Sequence, residues 1–95
     1  MSLEKWVRSE IHRKILRFFW ENPQSVDTPR GIATWTGEEI GKIRRALEDL
    51  TADRVLIANR GATTTGYSFT QDRILIDRIE TLLRKGEKSP SDTPS

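Results

Sequence analysis

The amino-acid sequence predicts an α+β domain, mainly α, built as a three-helix bundle followed by a β-hairpin and a C-terminal helix. Three observations lead there. Apolar residues recur at spacings of three and four near both ends of the chain and again in its middle. Two helix-start signals, Thr28-Pro29 and Thr36-x-x-Glu39, stand so close together that the helices they open must be joined by a tight turn. Between residues 54 and 70 the helical period gives way to a β-branched run, a glycine-bracketed loop and a short alternating run.

Each element has its own chemistry. Over residues 4–21, Val7, Ile11, Ile15, Leu16, Phe18 and Phe19 fall on one side of a single amphipathic helix. Asn22-Pro23 ends it, because a residue before proline is pushed out of the α region. Residues 24–27 are then a short extended link. Thr28 is placed to cap the next helix, and Pro29 at its first position gives up only an N–H that had no intrahelical partner. That helix runs to about Trp35, burying Ile32 and Ala33, with Trp35 packed under the following turn. Thr36 and Glu39 spell a capping box, in which each side chain bonds the other residue's backbone N–H. A further helix is therefore expected over 38–53, with Ile40, Ile43, Leu47 and Leu50 inward. Helices joined this closely form a helix-turn-helix. "RVLIANR", "GATTTG" and "YSFT" read as strand, loop and strand of a hairpin. Thr70 can cap a last helix to about Lys85, whose apolar side carries Leu75, Ile76, Ile79, Leu82 and Leu83, with Ile74 outside it. Residues 1–85 thus make one domain. Residues 86–95 have no apolar side chain and are expected to form a disordered tail.

The stretch "IHRKILRFFWENPQSVDTPRGIATWTGEEIGKIRRALEDLTADRVLIANR" resembles the winged-helix family, most strongly in "IA", "ALEDL" and "DRVLI". The resemblance covers roughly residues 11–83. It implies a winged helix-turn-helix. In the bacterial and archaeal transcription regulators of this family the helix corresponding to 38–53 enters the major groove of double-stranded DNA, and the wing at 61–66 lies against phosphates or the minor groove. The match consists of hydrophobic spacing and capping signals, so it identifies a fold more sharply than an activity.

Bulk charge does not decide the partner. Sixteen Lys and Arg face fourteen Asp and Glu, and a net charge of +2 is too small to argue for a polyanion by itself. Position must decide. With the aliphatic ridge of 38–53 turned inward, Glu38, Gly41, Lys42, Arg45 and Asp49 point out. Arg45 can meet a guanine edge with two hydrogen bonds, and Lys42 can serve base or phosphate. Gly41 either lets a duplex backbone come close or is an ordinary surface glycine. Glu38 either accepts from a cytosine amino group or repels phosphate, and the helix dipole accounts for its position without any ligand. Lys42, Arg45, Gly41 and Glu38 are the candidate base readers. Thr28 and Arg30, Arg44, and the wing residues Arg60, Thr63, Thr64 and Thr65 are the candidate phosphate contacts. The bases of residues 4–21 read as a solvated face, and lone His12 as surface polarity.

Trp6 has no obvious place in this core, and the last helix carries a wider apolar arc than one neighbour needs. A homodimer through Trp6, Ile76 and Leu83 is expected, with Trp6 folding onto its own last helix as the alternative. No cysteine, one isolated histidine, no phosphate loop and no metal-ligand spacing argue against an enzyme, and no cofactor is expected. The absence of cysteine fits a cytoplasmic protein, and no apolar run approaches membrane-spanning length. For a small-molecule effector the sequence has no signal either way. A DNA-binding regulator is the leading reading, and a winged helix serving only as a protein-interaction module is the other.

Overall fold

Ser9 breaks the expected first helix in two. In the computed structural model, which describes residues 4–87, its backbone is extended (φ −88°, ψ 123°) and separates α1 (Glu4–Arg8) from α2 (Glu10–Glu21). Serine competes for its own helix through side-chain hydrogen bonds. Here its hydroxyl lies 2.7 Å from Nδ1 of His12, while its carbonyl accepts the N–H of Arg13 at 2.9 Å. The break lets α1 turn back over α5, so that Trp6 packs against the core of its own chain. α2 closes at Asn22, whose backbone N–H and side-chain amide both donate to the Phe18 carbonyl, at 3.0 and 2.9 Å.

The link after α2 is more than a link. Val26 and Asp27 form β1 (Val26–Asp27), which pairs antiparallel with β3 (Thr65–Phe69); β3 in turn pairs with β2 (Leu56–Arg60), giving a three-stranded sheet of order β1-β3-β2. The hairpin therefore does not stand alone. Its central strand is tied on both sides, Val26 and Ile57 both lying opposite Ser68, and this fixes the wing relative to the start of the next helix. Thr65 and Gly66 belong to β3, so the loop itself is residues 61–64, closed by the N–H of Gly61 donating to the Thr64 carbonyl at 2.8 Å.

α3 (Pro29–Thr36) opens as its sequence dictates, the Thr28 hydroxyl accepting the Gly31 N–H at 3.1 Å with Pro29 in the first turn. The capping box after it does not form. Thr36 stays inside α3, its hydroxyl donating to the Ile32 carbonyl at 2.8 Å, and Gly37 takes the left-handed conformation (φ 77°) that ends the helix. Glycine adopts that geometry without a steric penalty, so the stop signal at Gly37 prevailed over the start signal at Thr36. α4 (Ile40–Ala52) begins only after Glu39, which makes no side-chain cap bond, and so is shorter at both ends than the 38–53 expected. Residues 37–39 are the turn. After α4 the chain turns at Arg54, a non-glycine at φ 64°, with the Val55 N–H reaching back to the Leu50 carbonyl at 2.9 Å.

The core lies where α2, α4, α5 and the inner sheet face meet. Ile15, Leu16, Phe18 and Phe19 from α2, Ile43, Ala46, Leu47 and Leu50 from α4, and Val55, Leu56 and Phe69 around the sheet are buried. α5 (Arg73–Glu87) completes it with Ile79 and Leu83. Leu83 is therefore corrected as a dimer residue: it is 1% exposed because it fills this chain's own core. Ile76 is partly buried against the same core, and Ile74, outside the apolar arc as expected, is exposed. Trp35 does not pack under the turn; it is 60% exposed and touches Phe18 edge-on at 5.0 Å. α5 includes Gly86 and Glu87, which composition alone assigns to the tail, and the remaining tail residues 88–95 lie outside the described ones.

Candidate nucleic-acid interface

α4 is held by one apolar face and offers the opposite one. At about 100° per residue, burial of Ile43, Ala46, Leu47 and Leu50 puts Gly41, Arg45 and Glu48 furthest from the core, with Arg44 and Lys42 on either flank. All five are exposed. Two of the expected outward acids are elsewhere. Glu38 lies in the turn before α4 with its carboxylate held by Lys14 of α2 at 2.8 Å, and Asp49 is half-buried with Oδ2 3.0 Å from Nε2 of His12. Glu48, which the sequence reading passed over, is the acid that does face out; its i+3 and i+4 spacing from Arg45 and Arg44 was the available signal.

On the α3 side of that face lies an open cleft of about 530 Å³. It brings together Thr28 and Arg30 from the start of α3, Arg44 from α4, and Thr63, Thr64 and Thr65 from the wing. These are six of the seven residues assigned to phosphate from sequence; Arg60, at the far end of β2 opposite Thr65, does not line the cleft. Tyr67 and Glu48 line it as well, and sequence reasoning missed both. Tyr67 lies two residues before the buried Phe69 on β3 and so shares its face, partly buried against the core and opposite Asp27 of β1. Among the described residues Arg30, Arg44 and Arg45 have no carboxylate within ion-pair reach, so their charge stays available.

On the α2 side is a second groove of about 320 Å³, where Lys42 and Arg45 meet Glu38, Asp49 and His12. His12 is not surface polarity. Its ring is 14% exposed, stacks on Trp6 at 4.7 Å, and finds oxygen at both nitrogens. The α2 bases are likewise not all a solvated face, because Lys14 spans to Glu38.

The Lys14–Glu38 pair shifts both partners. The hydrogen bond to Lys14, followed by its charge, holds the Glu38 carboxyl below its ordinary value, with Lys42 adding to the effect; the same hydrogen bond raises the Lys14 ammonium above its ordinary value. For the depressed carboxyl the stabilisation is present above its unfolded pKa and is lost as pH falls through the folded one. For the raised lysine it is present below the unfolded pKa and is lost as pH rises through the folded one. A Glu38→Gln variant is therefore expected to melt below the parent protein near neutrality and to converge with it in acid, which thermal melts across pH would show. An unchanged deficit in acid would mean that the pair is not its source.

Comparison with solved structures places this architecture. Over 81% of its length the chain superposes on a point mutant of ZitR from Lactococcus lactis, with a TM-score of 0.60 and 17% sequence identity. The fold is a winged helix. At that identity the likeness carries the winged helix and nothing finer, and the present chain spans only 53% of the ZitR chain. No family model matches the sequence, and no curated protein does. Among the described residues no helix of this winged helix is long and apolar enough to cross a membrane, and no group of three or more acidic, His or Cys side chains is arranged to hold a metal ion.

Proposed function

We propose that this winged helix binds double-stranded DNA, as a transcription regulator does, laying the Gly41–Arg45–Glu48 face of α4 into the major groove. The observation that carries the proposal is the cleft beside that face. Two guanidiniums free of internal ion pairs, four threonine hydroxyls and the N-terminus of α3 converge there, the groups that bond phosphate oxygens and set a protein's register on a duplex. Arg45 and Lys42 read bases, and Gly41 leaves room for close approach. Glu38 is withdrawn from base reading because Lys14 holds its carboxylate. Arg60, outside the cleft, serves a neighbouring phosphate along the wing. The unit of the proposal is one domain on one segment of duplex, since Leu83 and Trp6 are spent inside the chain.

Selection of duplexes from a random pool at ~50 and ~200 mM salt tests this directly, because several phosphate contacts make affinity fall by orders of magnitude over that range. Lys42→Ala with Arg45→Ala should then cost sequence discrimination, roughly 1–3 kcal/mol at the bases read, while Arg30→Ala should weaken all duplexes alike and lower the salt slope by about 1. Failure to bind any duplex at low salt would leave the protein-interaction module in its place.

A further inference from the structure

The second groove joins the reading helix to a titratable group. Nε2 of His12 lies 3.0 Å from Asp49 Oδ2 and Nδ1 lies 2.7 Å from the Ser9 hydroxyl. Ser9 can work in either direction. Toward a neutral ring its O–H donates to Nδ1; toward an imidazolium its oxygen accepts the Nδ1 proton, while Nε2–H donates to Asp49 throughout. The ring can gain a proton without losing a hydrogen bond.

Charges around the groove make that proton count. From α2 Glu10 lines the same groove; from α4 the ring meets Asp49, with Lys42 and Arg45 also lining the groove. Glu38, from the turn, is already neutralised by Lys14. On the α1 side Lys5 lies over the Trp6 ring, 4.4 Å from its centroid, and pairs with Asp53 at 3.5 Å, so that pair cancels, while Arg8 of the same helix is exposed. Two acids, Glu10 and Asp49, are left against two bases, Lys42 and Arg45. Asp49 sits one helical turn from Arg45 and opposes the charge that should meet phosphate.

We propose that duplex binding by α4 is linked to a proton on His12: the imidazolium cancels Asp49 at the edge of the reading face, and DNA affinity rises as pH falls. The proposal rests on the DNA-binding reading above. Lys14 does for Glu38, at every physiological pH, what His12 does for Asp49 only when protonated. The sequence makes the test clean. His12 is the single histidine and there is no cysteine, so a pH response that disappears in His12→Gln is assigned to this ring.

The experiment compares the affinity of the full chain for one selected duplex at pH 6 and pH 8 and fixed ionic strength. One added charge near the phosphates, partly screened, should tighten wild-type binding about threefold at the lower pH. His12→Gln should lose the response. Asp49→Asn should bind tightly at both values, and circular dichroism confirms that each variant is folded. Equal wild-type affinity at the two pH values, or a full response in folded His12→Gln, overturns the proton link while leaving DNA binding in place. No binding at either pH overturns the DNA-binding reading and the link with it.

Discussion

Replacing Arg30 and Arg44 together by Glu is expected to abolish measurable duplex binding at ~100 mM salt, a loss of about 100-fold or more, while leaving the fold intact. Each arginine lines the cleft beside the reading face, and each is exposed. Losing two phosphate contacts lowers the salt slope by about 2, and the two new carboxylates add repulsion. The structural cost is small. A carboxylate at Arg30 would sit in the first turn of α3, where the helix dipole favours it, and exposed changes of this kind usually stay within about 0.5 kcal/mol. Fluorescence anisotropy with a labelled duplex, beside a thermal melt, checks both halves. A double variant that melts and binds like the parent protein would remove the cleft from the contact surface.

A chain of net charge +2 can still present a locally basic face. Its bases do not all act outward. Lys5, Lys14, Arg17 and Arg84 face acids of the same molecule, at Asp53, Glu38, Glu21 and Glu80. Among the described residues, internal pairing absorbs these acids and leaves Arg30, Arg44 and Arg45 uncommitted around α4, as it leaves Arg13 of α2 and Arg73 of α5 uncommitted elsewhere. Net charge averages over both populations and so hides the division.

The elements whose existence depends on local chemistry were legible in the sequence. Thr28-Pro29 capped α3, the aliphatic ridge of α4 was buried at Ile43, Leu47 and Leu50, and the hairpin paired as its β-branched and alternating runs required. What was not legible depended on distant partners. β1 is two residues long, too short for alternation to show, and exists because β3 offers it an edge. Ser9 reads as a helix residue until Trp6 and His12 are seen to need the break. Trp6 could not be housed from sequence because its indole N–H donates to Asp53, 47 positions away, at 2.8 Å. Of the residues chosen for phosphate, most came together because α3 and the wing share β3 as a common anchor. The candidate base readers were less legible, since a two-residue difference in where α4 starts moves Glu38 off the helix and into the turn.

Phe19→Ala is expected to destabilise the domain by about 3–5 kcal/mol, the range for removing a buried aromatic ring. Phe19 is 0% exposed, meets Phe18 edge-to-face at 5.1 Å and stacks on Phe69 at 6.4 Å. It thereby joins the bundle to the central strand of the sheet, and truncation opens a cavity at the junction that sets the wing against α4. Against a total of roughly 5–15 kcal/mol, and nearer the lower end for so small a domain, such a loss leaves a substantial unfolded fraction at physiological temperature. Phe19→Leu keeps most of the volume and should cost much less. Urea unfolding separates cavity from rearrangement: a lower midpoint at unchanged m-value is the expected result for both variants. If Phe19→Ala unfolded at the parent midpoint, the bundle and sheet would not share the core described here, and the position of the wing over the cleft would lose its physical basis.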